Sequence, residues 1–374
     1  MSANDPQAIG RHFGPNWFAS VMGTGIIANA AIGLPVVGPS LTGFGFVVWS
    51  LASLMLITLL VVLLLQALLK PHVYRHHFDD PVMSQFWGAP PMALMTIAGG
   101  TLLFGHHVFS EPVVLAIAWT LWLVGTVSGF VVAIVVPFRL FTHHRVRPDA
   151  AFGGWLMPVV SPMVSAAIGA MLIPHASGLV LQQTMLYLCY ALFGVSLVGA
   201  LIIITLIWSR LAHYGTSGGA RVPTLWIVLG PLGQSVTAAG ALGLVALNIV
   251  DQPLAGSLNA MATLYGIPVW GFAFYWSFMA ALLTLRAFRK KMPFALTWWA
   301  FTFPVGTCVT GTTQIALHTG LPLFEWAAVL LFVGLLCAWL TAAIGTLRGF
   351  RGHQVLHAPA RAPEVASRKN LDDS

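Results

Sequence analysis

Charge is what this sequence lacks. Asp, Glu, Lys and Arg make up 7% of its 374 residues, against about 25% in an ordinary soluble domain. A soluble chain of this length could not cover its surface with so few, and 58% of its residues are hydrophobic. Cysteine is scarce as well. Cys189, Cys308 and Cys337 all sit in apolar runs without C-x-x-C spacing, which leaves no disulfide framework or thiolate metal site to argue. Lysine is missing from every apolar run, because Lys70, Lys290, Lys291 and Lys369 fall between or beyond them. That excludes a retinal pigment, which needs a lysine within a helix. The polar opening through Gly14 leads into an apolar run followed at once by more, a pattern unlike a cleavable signal peptide.

What is present is a series of apolar runs long enough to cross a bilayer. They lie near 15–32, 44–69, 87–105, 112–138, 155–173, 179–209, 222–247, 258–285, 294–317 and 323–347. Every Lys and Arg falls on one side of this series: Arg11 in the head, Lys70 and Arg75, then Arg139, Arg145 and Arg147, then Arg210 and Arg221, then Arg286, Arg289, Lys290 and Lys291, and the tail from Arg348. The opposite connections hold only Glu111, Asp251 and Glu325 as charged residues. The positive-inside rule then predicts a multi-pass protein of the cytoplasmic membrane with both termini in the cytoplasm. The net charge of +7 is therefore a topology signal and no argument for nucleic acid. The expected divisions are a cytoplasmic segment over 1–14, a transmembrane domain over 15–350, and a disordered cytoplasmic tail over 351–374.

The runs repeat in pairs. Trp17, Trp87, Trp155, Trp226 and Trp298 open the odd-numbered spans at separations of 70, 68, 71 and 72 residues. Lys70, Arg139, Arg210, Arg286 and Arg348 close the even ones. Interfacial Trp is common in any membrane helix, but the helix contents differ as well. Odd spans carry proline early (Pro91, Pro158 with Pro162, Pro231, Pro304), or Gly23 and Gly25 in the first, whereas the second span has neither Gly nor Pro after Gly45. A proline inside a helix removes a backbone bond and kinks it. A bilayer tolerates this where protein or a water-filled cavity satisfies the freed groups. The expected fold is all-α: ten transmembrane helices as five helical hairpins, with kinked odd helices in an inner ring around a central pore and even helices outside. Pro91, Pro162, Pro231 and Pro304 are the expected kinks.

Apart from Glu325 at the edge of the last span, no Asp, Glu, Lys or Arg lies within these spans, whereas pumps and proton-relay carriers place an ionisable group at membrane depth. The remaining polar equipment is hydroxyls, amides and backbone N–H groups. Gly23, Thr24, Thr96, Ser161, Ser165, Gln234, Thr237 and Thr307 are the candidate pore lining. Taken singly, each such hydroxyl more often serves helix packing; taken together, some should line a path. Helix N-termini favour anions and carbonyl ends favour cations, so the residues alone only lean toward anions. Neither a metal nor a cofactor is expected.

Two stretches carry a family resemblance. Residues 14–25, GPNWFASVMGTG, and 298–306, WWAFTFPVG, resemble the first and ninth helices of the tellurite-resistance and dicarboxylate transporter family. That family includes malic-acid permease, the sulfite efflux pump and slow-type anion channels. The resemblance extends over roughly 12–350 and implies a homotrimer with one anion pore per subunit. It also implies transport of C4-dicarboxylate or malate-type anions or sulfite, or passive conduction of chloride or nitrate, and a Phe plug in the ninth helix. The plug maps to Phe303, with Phe301 as the alternative if the register slips.

Histidine supplies a rival of another class. His72, His76 and His77 lie on the cytoplasmic side with His143 and His144, and His213 belongs to the same face. Such clusters occur in membrane di-iron oxidoreductases, where imidazole suits iron. The count is short of a two-metal site, and Asp79 and Asp80 nearby fit a solvated, headgroup-facing loop. On the outer side, His106, His107, His175 and His318 sit near span ends, where a pKa near 6.5 lets them charge as pH falls.

Overall fold

A computed structural model describes residues 13–144, 146–216 and 219–351. Arg145, the segment through residue 12 and the expected tail from 352 onward lie outside the described residues. Among those described, all regular structure is helical and there is no strand. The α-helices are α1 Phe18–Gly33, α2 Thr42–Leu69, α3 Pro71–Asp79, α4 Ala89–Phe104, α5 Glu111–Thr142, α6 Leu156–Leu172, α7 Leu179–Tyr214, α8 Leu229–Ile249, α9 Leu254–Leu264, α10 Gly266–Arg289, α11 Phe303–Thr319 and α12 Pro322–Arg351.

Among the described residues, eight helical segments are long and apolar enough to cross a membrane. The two expected spans outside this set contain α1 and α11, with 16 and 17 residues, or about 24–26 Å of α-helix. Burial separates the spans into two kinds. The best windows of Met83–His107 and Gly153–His175 are 89% buried, whereas those of Gly38–Leu69 and Glu111–Thr142 are 17% and 22% buried.

Pairwise packing follows the same division. α1 packs on α4, α4 on α6, α6 on α8, α8 on α11, and α11 on α1. Each of α2, α5, α7, α10 and α12 lies against two of these neighbours: α2 touches α1 and α4, for example, and α12 touches α11 and α1. Indole N–H groups tie the two sets together. Trp122 of α5 donates to the Ser165 carbonyl at 2.9 Å, Trp270 of α10 to Thr312 Oγ1 at 2.9 Å, and Trp339 of α12 to Thr24 Oγ1 at 3.0 Å. Small residues let the buried helices approach closely. A Cβ on Gly233 would lie 2.5 Å from the Thr307 carbonyl carbon and the Cys308 nitrogen, so α8 and α11 touch backbone to backbone.

The Trp period has a structural counterpart. α1, α4, α6, α8 and α11 are each preceded by a 3₁₀ stretch: Pro15–Trp17, Met83–Gly88, Gly153–Trp155, Gly219–Val228 and Leu296–Phe301. Trp17, Trp87, Trp155, Trp226 and Trp298 all fall inside these stretches. Pro91 and Pro231 are the third residues of their α-helices and Pro304 is the second. There, no i−4 bond exists for proline to break, so these three mark the hand-over from 3₁₀ to α geometry. Pro162 lies inside α6, and Pro137 lies inside α5.

Two connections differ from expectation. Residues 71–79 form the amphipathic helix α3, with Pro71 in its first turn and Val73 and His77 buried four residues apart. The eighth span is two helices, α9 and α10, meeting at Tyr265 where Gly266 and Pro268 follow.

Candidate functional site

The cavity that draws on the most helices lies at the 3₁₀ ends of the buried set. It is narrow: its cavity volume is about 30 Å³, little more than a water molecule needs. Ala19 and Met22 of α1, Met92 of α4, Met157 and Val160 of α6, Pro231 of α8, and Phe303 of α11 all line it, so all five buried helices contribute. Its walls carry no Asp, Glu, Lys or Arg, and their hydroxyls are turned away from the space. Thr224 donates to the Arg221 carbonyl at 2.7 Å and Thr297 to the Ala220 carbonyl at 2.7 Å. An ion here meets an apolar surface that offers little to replace its hydration.

Phe301 and Phe303 separate cleanly. Phe303 is 5% exposed and borders this cavity beside Pro304. Phe301 borders a different cleft, walled by Phe274 and Phe278 of α10 and Leu330 of α12. Its ring stands edge-on to Trp226 at 5.7 Å and to Trp298 at 6.1 Å.

The other candidate residues are spread through the helix seams. Gly23 backs directly onto Thr302 and Trp299, where a side chain would collide. Thr24 accepts the Trp339 indole N–H and so faces α12. Thr96 donates to the Met92 carbonyl at 2.7 Å, within its own helix. Ser161 donates to the Gly88 carbonyl at 3.1 Å, and Ser165 lies 2.9 Å from Met95 Sδ. Thr307 is fully buried, within reach of the Pro304, Leu229 and Gly230 carbonyls. Thr237 is part-buried and pairs with Thr310 at 2.7 Å, while Gln234 is 4% exposed with its Oε1 unpartnered. The structure therefore brings Thr237 and Thr307 to the α8–α11 seam, sets Gln234 three residues before Thr237 on α8, and leaves Thr24, Thr96, Ser161 and Ser165 at other contacts. Thr310 and Gln314 belong with the first group although they are outside the candidate set. Their spacing from Phe303, seven and eleven residues, was the available signal, since it puts them on the same helical face.

The histidines do not gather. His72 and His76 are exposed on α3, His143 is exposed just after α5 and His213 near the end of α7, and among the described residues no group of three or more His, Cys, Asp or Glu could hold a metal ion. His77 is buried with its Nε2 unpartnered. Burial, and then neighbouring His76, hold its pKa below the usual imidazole value, against the opposing Phe13 carbonyl and Asp80. On the other side, His106 Nδ1 lies 3.1 Å from Glu111, His107 Nδ1 lies 3.0 Å from the Phe104 carbonyl, and His175 is exposed. His318 joins the Gln314 carbonyl at 2.7 Å to Asn259 Oδ1 at 3.0 Å.

Apolar spans in this number, around a cavity walled by five helices, define an integral membrane protein of the channel and carrier class. Comparison with known proteins makes this specific: the chain belongs to the voltage-dependent anion channel family, whose model matches residues 12–347. It is similar to a sulfite efflux pump of Trichophyton rubrum, at 29% identity over 335 residues, 88% of each chain. An uncharacterized transporter of Methanocaldococcus jannaschii is 25% identical over 338 residues, 90% of this chain and 94% of its own. The malic acid transport protein of Schizosaccharomyces pombe is 21% identical over 352 residues, covering 91% of this chain and 79% of that one. The resemblance read from residues 14–25 and 298–306 thus holds over nearly the whole chain.

Proposed function

We propose that this protein carries sulfite or malate-type organic acid anions across the cytoplasmic membrane, through a pore in each subunit that Phe303 closes. Ten spans form five hairpins, with α1, α4, α6, α8 and α11 ringing the pore and both termini in the cytoplasm. Subunits assemble as a homotrimer. The observation that carries this reading is the cavity to which all five buried helices contribute, with the Phe303 ring in its wall. Family membership supports an anion as the cargo, and the names of the similar sulfite and malic acid proteins supply the two candidates. Thr237 and Thr307, in contact along the α8–α11 seam, and Gln234, one turn earlier on α8, are the proposed path residues.

The test is flux into proteoliposomes for chloride, nitrate, sulfite and malate, each with and without a pH gradient. Sulfite or malate uptake exceeding chloride supports the carrier reading, and gradient-independent chloride and nitrate flux replaces it with a passive inorganic anion channel. No flux of any anion by folded protein refutes both.

A further inference from the structure

Beyond Phe303 the polar side chains fall along one seam. On α11, Phe303, Thr307, Thr310 and Gln314 follow the spacing of one helical face, and on α8 Gly230, Gln234, Thr237 and Ala241 do the same. The two helices meet in parallel register along Gly233, Thr237 and Gly240 of α8, which leaves Gln234 at the edge of the contact. Gly233 touches Thr307, Thr237 Oγ1 lies 2.7 Å from Thr310 Oγ1, and a Cβ on Gly240 would lie 2.6 Å from that of Gln314. Gln234 therefore sits one turn before the threonine pair and Gln314 one turn after it.

Neither glutamine uses its amide. The Oε1 atoms of Gln234 and Gln314 are both enclosed with no partner, and among the described residues no hydrogen bond engages either Nε2. Gln234 is 4% exposed. Buried polar groups are ordinarily hydrogen-bonded, and leaving one unpaired costs stability. Two idle carboxamides flanking one hydroxyl pair point to a partner that comes and goes.

We propose that Gln234 and Gln314, with Thr237 and Thr310 between them, form a subsite beyond the Phe303 ring that selects singly protonated oxoanions over halides. The proposal rests on the transport reading above. Each Nε2 supplies two N–H donors, which suit an anion with several oxygens separated in space, while the Thr237 and Thr310 hydroxyls bond each other and the Gly233 and Thr307 carbonyls and so hold the two helices in register between the amides. Each Oε1 is an acceptor, repulsive to a bare anion but complementary to the O–H of hydrogensulfite or a half-protonated dicarboxylate. A halide is a single centre without an O–H, so it gains less from donors a turn apart and nothing from the acceptors.

The experiment compares hydrogensulfite and chloride flux by the full chain in vesicles, at a pH where hydrogensulfite predominates. Gln314→Leu and Gln234→Leu should each lower the hydrogensulfite-to-chloride ratio about tenfold, roughly the worth of one hydrogen bond to a charged ligand. Gln314→Met, which keeps volume and helix propensity, carries the same expectation should the leucine variant fail to fold. Gln314→Glu should suppress both fluxes. Ratios within about twofold of wild type in folded Gln234 and Gln314 variants would overturn the subsite while leaving the transport reading standing. A wild type that passes no anion would refute the transport reading and this inference together.

Discussion

Truncating Phe303 and Phe301 in separate variants gives opposite expectations, because their rings lie in different spaces. Phe303 closes a wall of the cavity reached by all five buried helices. An anion passing an apolar ring forgoes hydrogen bonds, each worth ~1.5–3 kcal/mol to a charged group. Restoring one such contact through Phe303→Ala should raise anion flux about ten- to a hundredfold. Its ring borders existing space, so the stability cost should stay below ~3 kcal/mol, the foot of the range for Phe→Ala. Phe301 stands edge-on to Trp226 and Trp298. Phe301→Ala forfeits two aromatic pairs and should cost ~3–5 kcal/mol with little change in flux. Vesicle flux with an anion-sensitive dye and thermal melting followed by Trp fluorescence measure the two effects. Equal flux in wild type and folded Phe303→Ala would remove Phe303 from the mechanism. A gain from Phe301→Ala alone would keep a plug but move it two residues.

Cysteines introduced near Glu111, Asp251 and Glu325 should react with an impermeant reagent added outside whole cells, and those near Arg145 and Arg289 should not; outside labelling at Arg145 would invert the topology. The lowered pKa of His77 means that the folded state resists its protonation, so stability falls as pH drops through the unfolded value near 6.5. Melting temperature should decline between neutral and mildly acid pH, and His77→Gln should flatten that decline. Gly233→Ala places a methyl 2.5 Å from backbone atoms of Thr307 and Cys308. The better helix propensity of alanine returns about 1 kcal/mol, but backbone cannot rotate aside, so a net loss of ~1–3 kcal/mol is expected in thermal melts.

The separation of buried from exposed spans was legible because it is a matter of composition. Pro231 and Gly233 mark α8 as surely as the unbroken run from Phe46 to Leu69 marks α2. The Trp period was legible for the same reason and coincides with the 3₁₀ stretches. The direction of each hydroxyl was not. Around a helix that is apolar on every side, no contrast says which face a threonine occupies, and Thr24 and Thr307 differ only in having Trp339 or the Leu229 carbonyl beside them. The break at Tyr265 had its signal in Gly266 and Pro268, but the apolar residues on both sides read as one continuous span. The helicity of 71–79 was obscured by its histidines, which read as loop residues until Val73 and His77 are seen to share a face.

The contact of α12 with both α11 and α1 has a consequence for biosynthesis. The Trp339-to-Thr24 hydrogen bond joins residues 315 positions apart, and the α11–α1 seam is nearly as remote in sequence. Chains made from the N-terminus fold their early segments first, and contacts this distant form slowly even when the whole chain is available. α1 can find α2 and α4 as soon as they are made, but its other flank must wait for the last hairpin. Until then the surface at Gly23 and Ile26, which later receives Thr302 and Gly306, has no permanent neighbour. The order of synthesis thus makes the joining of first and last helices the final assembly step, and the one most exposed to error if translation stops early.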